Sequence, residues 1–168
     1  MKPKRTPVAR RQAAETTESP PMQLGVLGGV LGFRLRRIQN HLATNFSQLL
    51  AGRNLRPGEF SALALIAANP GISQIELAVE GGFDKTQLVT LLDDLEAWGW
   101  AARVRSTVDR RRHALHITPK GDQELAQLLA LAQEAERPLA EALSAAELRN
   151  LFTSLDRIYA GCFHNEPL

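Results

Sequence analysis

The segment from Ser73 to Pro119 constrains this chain more than any other. Two helix starts follow one another closely, Ser73-Gln74-Ile75-Glu76 and Asp84-Lys85-Thr86-Gln87. Each has the capping-box pattern that satisfies the first free backbone N–H groups of a helix. Gly81-Gly82 between them closes the first helix, which is therefore short. The second carries Leu88, Leu91, Leu92 and Leu95 at i, i+3, i+4 and i+7, a stripe for burial, and ends near Gly99. Two short helices joined by a tight glycine turn predict a helix-turn-helix. Lys85, Thr86, Gln87 and Thr90 lie off the leucine stripe, toward the N-terminal end, where a recognition helix meets base edges. An ordinary antiparallel helix pair with a polar outer face fits the same residues.

Directly after this pair, Ala101–Ser106 and His113–Ile117 read as two strands around the turn Thr107-Val108-Asp109-Arg110-Arg111-Arg112. Residues 101–120 hold six basic groups against one acidic group, between acidic blocks at 61–100 and 121–168 that are each net −5. The whole chain is only +2, so the charge is local. A strand ribbon with a basic tip beside a recognition helix is a wing, able to place arginine in the negative minor groove. Arg103, Arg105, Arg110, Arg111 and Arg112, with Asp109, are its candidate DNA-binding residues. A solvated basic loop is the plainer reading of the same charges.

The flanks predict helices. Leu31, Leu35, Ile38, Leu42, Phe46 and Leu49 form one stripe of a helix reaching from about Gln23 to Leu50. Arg56-Pro57 starts a helix that Asn69-Pro70-Gly71 stops. Thr118-Pro119 starts another, to about Leu143, which Pro138 should kink or split. Ser144-Ala145-Ala146-Glu147 caps a last helix with Leu148, Leu151, Phe152, Leu155, Ile158 and Tyr159 on one face. With nine aromatic residues in 168, a core of packed Leu- and Ala-rich helices is expected, mainly α with a small β-wing. The expected organisation is a disordered basic arm (1–21), an N-terminal dimerisation helix (22–55), a winged helix-turn-helix (56–120) and C-terminal dimerisation helices (121–168). The terminal helices have more apolar surface than one small domain needs, and a homodimer is its natural use.

At this point the chain resembles the MarR family of bacterial regulators. Asp109-Arg110-Arg111-Arg112-His113-Ala114-Leu115-His116-Ile117-Thr118-Pro119-Lys120-Gly121 is similar to that family's wing signature: Asp-Arg-Arg, Leu-x-Leu-Thr, then a glycine three residues on, with Ile117 for the second leucine. Leu91 to Trp100 resembles the end of its recognition helix, and the similarity extends over about residues 22–163. The resemblance implies a six-helix winged fold and an obligate homodimer built from the first and last helices. It implies a pseudo-palindromic operator with half-sites about one helical turn apart. It implies that Asp109 orients Arg111 for the minor groove, while Arg110 and Arg112 meet phosphate. Two positions depart from the family pattern: Thr90 stands where many relatives carry arginine, and Asp94 where a basic residue is common. Base reading then shifts toward Lys85, Thr86 and Gln87, with Gln87 suited to adenine.

Relatives of this kind commonly release DNA when an aromatic acid or related CoA thioester binds between the dimer helices and the winged unit. Arg34, Arg37 and His41 on the first long helix are the candidate effector-binding residues, because arginine grips carboxylates in a fork. A solvated helix face is the alternative. Cys162, the only cysteine, reads as a small buried or dimer-facing hydrophobe rather than a redox switch, and fits a reducing cytoplasm.

Enzymatic chemistry has no positive sign. His113 and His116 are three apart on a strand and point to opposite faces, so a shared metal is not expected. Gly28-Gly29 does not follow a strand, no Gly-x-Ser-x-Gly elbow occurs, and Asp93 and Asp94 are turned apart on a helix. No cofactor, membrane span or export signal is expected, which places the protein in the cytoplasm, at the nucleoid. The leading expectation is a ligand-responsive regulator, most simply a repressor. A constitutive or architectural DNA-binding protein and a helical interaction module are the alternatives.

Overall fold

The computed structural model describes residues 22–53, 55–105 and 113–163. Among these residues the order is a 3-10 turn (Gly25–Gly29), α1 (Leu31–Leu49), α2 (Pro57–Ala68), α3 (Gln74–Gly81), α4 (Lys85–Ala97), β1 (Ala101–Arg105), β2 (His113–Ile117), α5 (Pro119–Glu141) and α6 (Ala145–Phe163). Six α-helices and a two-stranded antiparallel ribbon are the expected winged helix-turn-helix architecture.

Local chemistry sets most of the boundaries. Ser73 Oγ accepts from the Glu76 N–H while the Glu76 carboxylate accepts from the Ser73 N–H, so α3 begins in a closed capping box. Gly82, at φ 63°, ends it in the left-handed conformation. One carboxylate oxygen of Asp84 accepts from the Thr86 and Gln87 N–H groups and starts α4. Thr118 Oγ1 accepts from the Gly121 N–H at the head of α5.

Two expectations need correction. The helix expected from Gln23 begins only at Leu31, after the 3-10 turn and an extended Val30. Gly25 takes φ 52°, outside helical space, and the glycines that follow lower helix propensity across this stretch. Pro138 does not split α5, which runs unbroken from Pro119 to Glu141. Pro138 withholds one hydrogen bond, to the Glu134 carbonyl in the preceding turn, and it is exposed; the rest of the helix continues past it.

The core joins the helix-turn-helix to the ribbon and to α5. Leu63 and Ile66 of α2, Leu77 of α3, Leu95 of α4, Leu115 of β2 and Leu128 of α5 are all fully buried. β1 pairs with β2 in the register Ala101↔Ile117 through Arg105↔His113. β2 also pairs with the α2–α3 connection: the Gly71 N–H donates to the Leu115 carbonyl and the Leu115 N–H to the Ile72 carbonyl, each at 2.9 Å. The ribbon is thus tied to the helix pair rather than hinged freely on it. Gly121 lies against the Trp100 carbonyl so closely that a β-carbon would stand 2.0 Å from that oxygen. That contact lets α5 leave directly from the base of the ribbon.

The two ends of the chain contrast with this core. α6 buries none of its residues, and Leu151, Phe152, Ile158, Tyr159 and Phe163 are exposed on it. Val26, Leu31, Leu35 and Ile38 are exposed near the other end. Cys162 is exposed on α6 rather than buried. Tyr159 connects α6 to α3 by donating its hydroxyl proton to the Glu80 carboxylate at 3.2 Å.

Candidate nucleic-acid interface

The leucine stripe of α4 is driven inward: Leu88, Leu91, Leu92 and Leu95 are buried. Burial of that stripe fixes the outer face. Lys85, Thr86, Gln87, Val89 and Thr90 are all exposed in the first two turns. The Thr90 hydroxyl is turned back onto its own helix, donating to the Thr86 carbonyl at 3.4 Å. The N-terminal half of α4 therefore presents one cation, two threonines, an amide and an aliphatic side chain, with no carboxylate in its first turn.

The second half of α4 carries Asp93, Asp94 and Glu96, and each meets an arginine from another element. Arg103 of β1 reaches both Asp93, at 2.7 Å, and Glu96 through Nη1, and its backbone N–H donates to Glu96 at 2.8 Å. Its Nε is buried with no partner among the described residues. Arg56, at the start of α2, donates from Nη2 to Asp94 at 2.6 Å. The same guanidinium holds Glu59 through Nε at 2.8 Å and Nη2 at 2.6 Å. Glu59 is 1% exposed, and its other oxygen accepts from the Arg56 N–H at 2.6 Å, completing the cap of α2. The hydrogen bond to Glu59, then the charge of that carboxylate, raise the Arg56 pKa above the usual arginine value.

The expected site residues fall into three groups. Lys85, Thr86, Gln87 and Thr90 share the exposed face of α4. Arg103 stands at the base of the ribbon but spends its guanidinium on Asp93 and Glu96. Arg105 ends β1, opposite His113. Asp109, Arg110, Arg111 and Arg112, and the arm 1–21, lie outside the described residues. His113 is exposed and His116 half-buried, opposite Ala102 in the ribbon. Among the described residues no three His, Cys, Asp or Glu side chains are grouped to hold a metal ion, and no helix is long and apolar enough to cross a membrane.

Among the described residues, the candidate effector residues are held as follows. Arg34 donates from Nε to the Gly28 carbonyl at 2.8 Å, bracing the 3-10 turn. His41 Nε2 lies 3.2 Å from the Asn45 amide one turn along α1, and Arg37 is exposed. An open cleft of about 450 Å³ lies elsewhere, where Ser47, Leu50, Arg56, Glu59, Thr90 and Asp94 meet. A smaller cavity of about 170 Å³ sits between α1, α2 and α5, lined by Gln39, Leu42, Phe46, Phe60 and Ala135. Neither is lined by Arg34, Arg37 or His41.

Sequence reasoning missed Arg56 and Val89. The signal for Arg56 was present in part, since Glu59 stands three residues after it at a helix start. Nothing local announced that Arg56 would also reach Asp94, 38 residues away.

A family model described as MarR family matches residues 53–112, from before α2 to the residue before β2. The putative transcriptional regulatory protein for the hcr operon of Thauera aromatica is 37% identical over 136 residues, covering 80% of this chain and 82% of that protein. The structure of the transcriptional repressor CouR bound to a 23-mer DNA duplex superposes with a TM-score of 0.72 at 36% identity, covering 83% of this chain and 99% of that one. The Mycobacterium tuberculosis MarR family protein RV2887, in complex with p-aminosalicylic acid, gives a TM-score of 0.65 at 26% identity, covering 76% of this chain and 97% of that one. The fold, the exposed recognition face and these relatives agree: this chain belongs to the MarR family of winged helix-turn-helix transcriptional regulators.

Proposed function

We propose that this protein is a repressor that binds a pseudo-palindromic operator as a homodimer and releases it when a small aromatic carboxylate or its CoA thioester binds. The observation that carries the reading is the exposed N-terminal half of α4, free of carboxylates and held beside a ribbon bonded to the same core. In this reading Lys85, Thr86, Gln87 and Thr90 enter the major groove. Arg111, oriented by Asp109, enters the minor groove, and Arg105, Arg110 and Arg112 contact phosphate. Arg103 serves the interface indirectly, because its guanidinium is already committed to α4.

Dimerisation rests on the exposed apolar side chains of the first and last helices, which a second copy would cover. On this reading residues 22–55 and 121–168 assemble the dimer and 56–120 read DNA. Repression is supported by the likeness to CouR, a repressor whose structure holds a DNA duplex. An aromatic acid as effector is supported by the likeness to RV2887, solved with p-aminosalicylic acid and with salicylic acid. Arg34, Arg37 and His41 are the carboxylate partners in this reading, on the same helix as Gln39, Leu42 and Phe46 of the smaller cavity.

Fluorescence anisotropy on a labelled duplex from upstream of the protein's own gene tests this, with salicylate, p-aminosalicylate and aromatic CoA thioesters as competitors. Release by one compound of a duplex bound as a dimer is the expected result. Selective binding that none of these compounds disturbs would remove the effector class from the proposal.

A further inference from the structure

We infer that α4 reads thymine through its 5-methyl group, with Val89 as the residue that selects it. The inference rests on the proposed DNA-binding role of α4 and names one base feature it recognises. Val89 is 49% exposed on a helix whose other aliphatic side chains, Leu88, Leu91, Leu92 and Leu95, are buried. At 100° per residue it stands nearest Lys85 and Asp93, with Thr86 next to them, on the flank of the exposed face that borders Leu92. An aliphatic, β-branched side chain at that point donates and accepts nothing.

The polar groups nearby are in part already engaged. Thr90 has its hydroxyl directed to the Thr86 carbonyl, so its polar end is engaged within the helix. The acids that follow, Asp93 and Asp94, are each bound to an arginine from another element. The middle of α4 thus offers neither the arginine fork that recognises guanine nor a free carboxylate for cytosine. In the major groove the one base feature that rewards an aliphatic contact is the thymine methyl. Gln87 and Lys85, on either flank, remain available for hydrogen bonds to neighbouring bases.

Removing a methyl group from such a contact is expected to weaken binding about fourfold per half-site, and about 15-fold when both half-sites are changed. The test uses the full-length protein and a duplex it selects from a random pool. Each thymine of that duplex is replaced in turn by deoxyuridine, which deletes the 5-methyl and leaves base pairing intact. Affinity is measured for the wild type and for Val89→Ala. One symmetry-related thymine pair should show the loss with wild type, and Val89→Ala should bind the thymine and deoxyuridine duplexes alike. Selection of a duplex that tolerates deoxyuridine everywhere would overturn the inference while leaving DNA binding intact. A methyl preference that survives Val89→Ala would also overturn it. Failure to select any duplex would remove the DNA-binding reading itself, and the inference with it.

Discussion

Arg56 Nη2 lies 2.6 Å from Asp94 Oδ2, which joins the N-cap of α2 to α4. The guanidinium is 54% exposed, but it is anchored by a carboxylate, Glu59, that is 1% exposed. The buried acid fixes the arginine, and the arginine neutralises an acid on α4, the proposed DNA-reading helix. The pairing with Arg56 balances the charge that Asp94 brings to α4.

Replacing Arg56 by Gln exposes the charge of Asp94 to the phosphate backbone. DNA affinity should fall by roughly three- to tenfold at low salt, with the difference shrinking as salt rises. Asp94→Asn added to Arg56→Gln should restore most of the loss. Glu59 also loses its guanidinium partner, so thermal or urea unfolding should show a cost of about 1–3 kcal/mol that the second substitution does not recover. Failure of Asp94→Asn to restore binding would make Arg56 a purely structural residue.

Arg103 links the ribbon to α4 through Asp93 and Glu96. Arg103→Ala leaves two carboxylates facing each other at the wing base and removes the side chain that orients β1. DNA binding is expected to weaken by roughly tenfold or more, with faster amide exchange in β1. Arg103→Lys should recover only part of the loss, since an ammonium lacks the planar fork that reaches both acids. Equal affinity of the three proteins would show that the wing is positioned by backbone pairing alone.

Gly121 has no room for a side chain. A β-carbon there would stand 2.0 Å from the Trp100 carbonyl oxygen, a backbone atom that cannot swing aside. Gly121→Ala should destabilise the protein by about 1–3 kcal/mol or more, as in other overpacked sites. Equilibrium unfolding of the variant measures it. Unchanged stability would mean that α5 can tilt away from the ribbon without cost.

The Tyr159–Glu80 bond gives a pH dependence. The hydrogen bond to Glu80, then its charge, raise the Tyr159 pKa above the ordinary value. A group whose folded pKa is raised contributes fully below its unfolded value, near 10. The contribution is lost as pH rises through the folded value, where two anions would face each other. The stability difference between wild type and Tyr159→Phe should therefore be small but constant below about pH 10 and fade above it. A difference that instead grows above that pH would contradict the bond.

The sequence was most legible where structure is local. The caps at Ser73, Asp84, Thr118 and Ser144, the glycine stop at Gly82 and the leucine stripe of α4 are fixed by neighbours within a turn. It was least legible where a side chain reaches another element. Arg103 reads as a free cation in the sequence, yet its partners are chosen by how β1 lies on α4. Arg34 donates to the Gly28 carbonyl, six residues back, because the glycines before it form a 3-10 turn rather than helix, a contact the helical spacing does not announce. The apolar stripe that begins at Leu31 does not mark where its helix starts, since apolar spacing alone does not register backbone freedom at Gly25.

The most direct measurement is equilibrium binding of the wild type and Arg111→Ala to the duplex upstream of the gene, across a salt series, with dimer mass recorded for both. Wild-type affinity should be sequence-selective and fall steeply with salt, with a log–log slope of about −5 if some six phosphates are met per dimer. Arg111→Ala should bind roughly ten- to a hundredfold more weakly as an intact dimer. Equal binding to operator and scrambled duplexes, with no effect of Arg111→Ala, would contradict the assignment of this winged helix as a sequence-reading regulator.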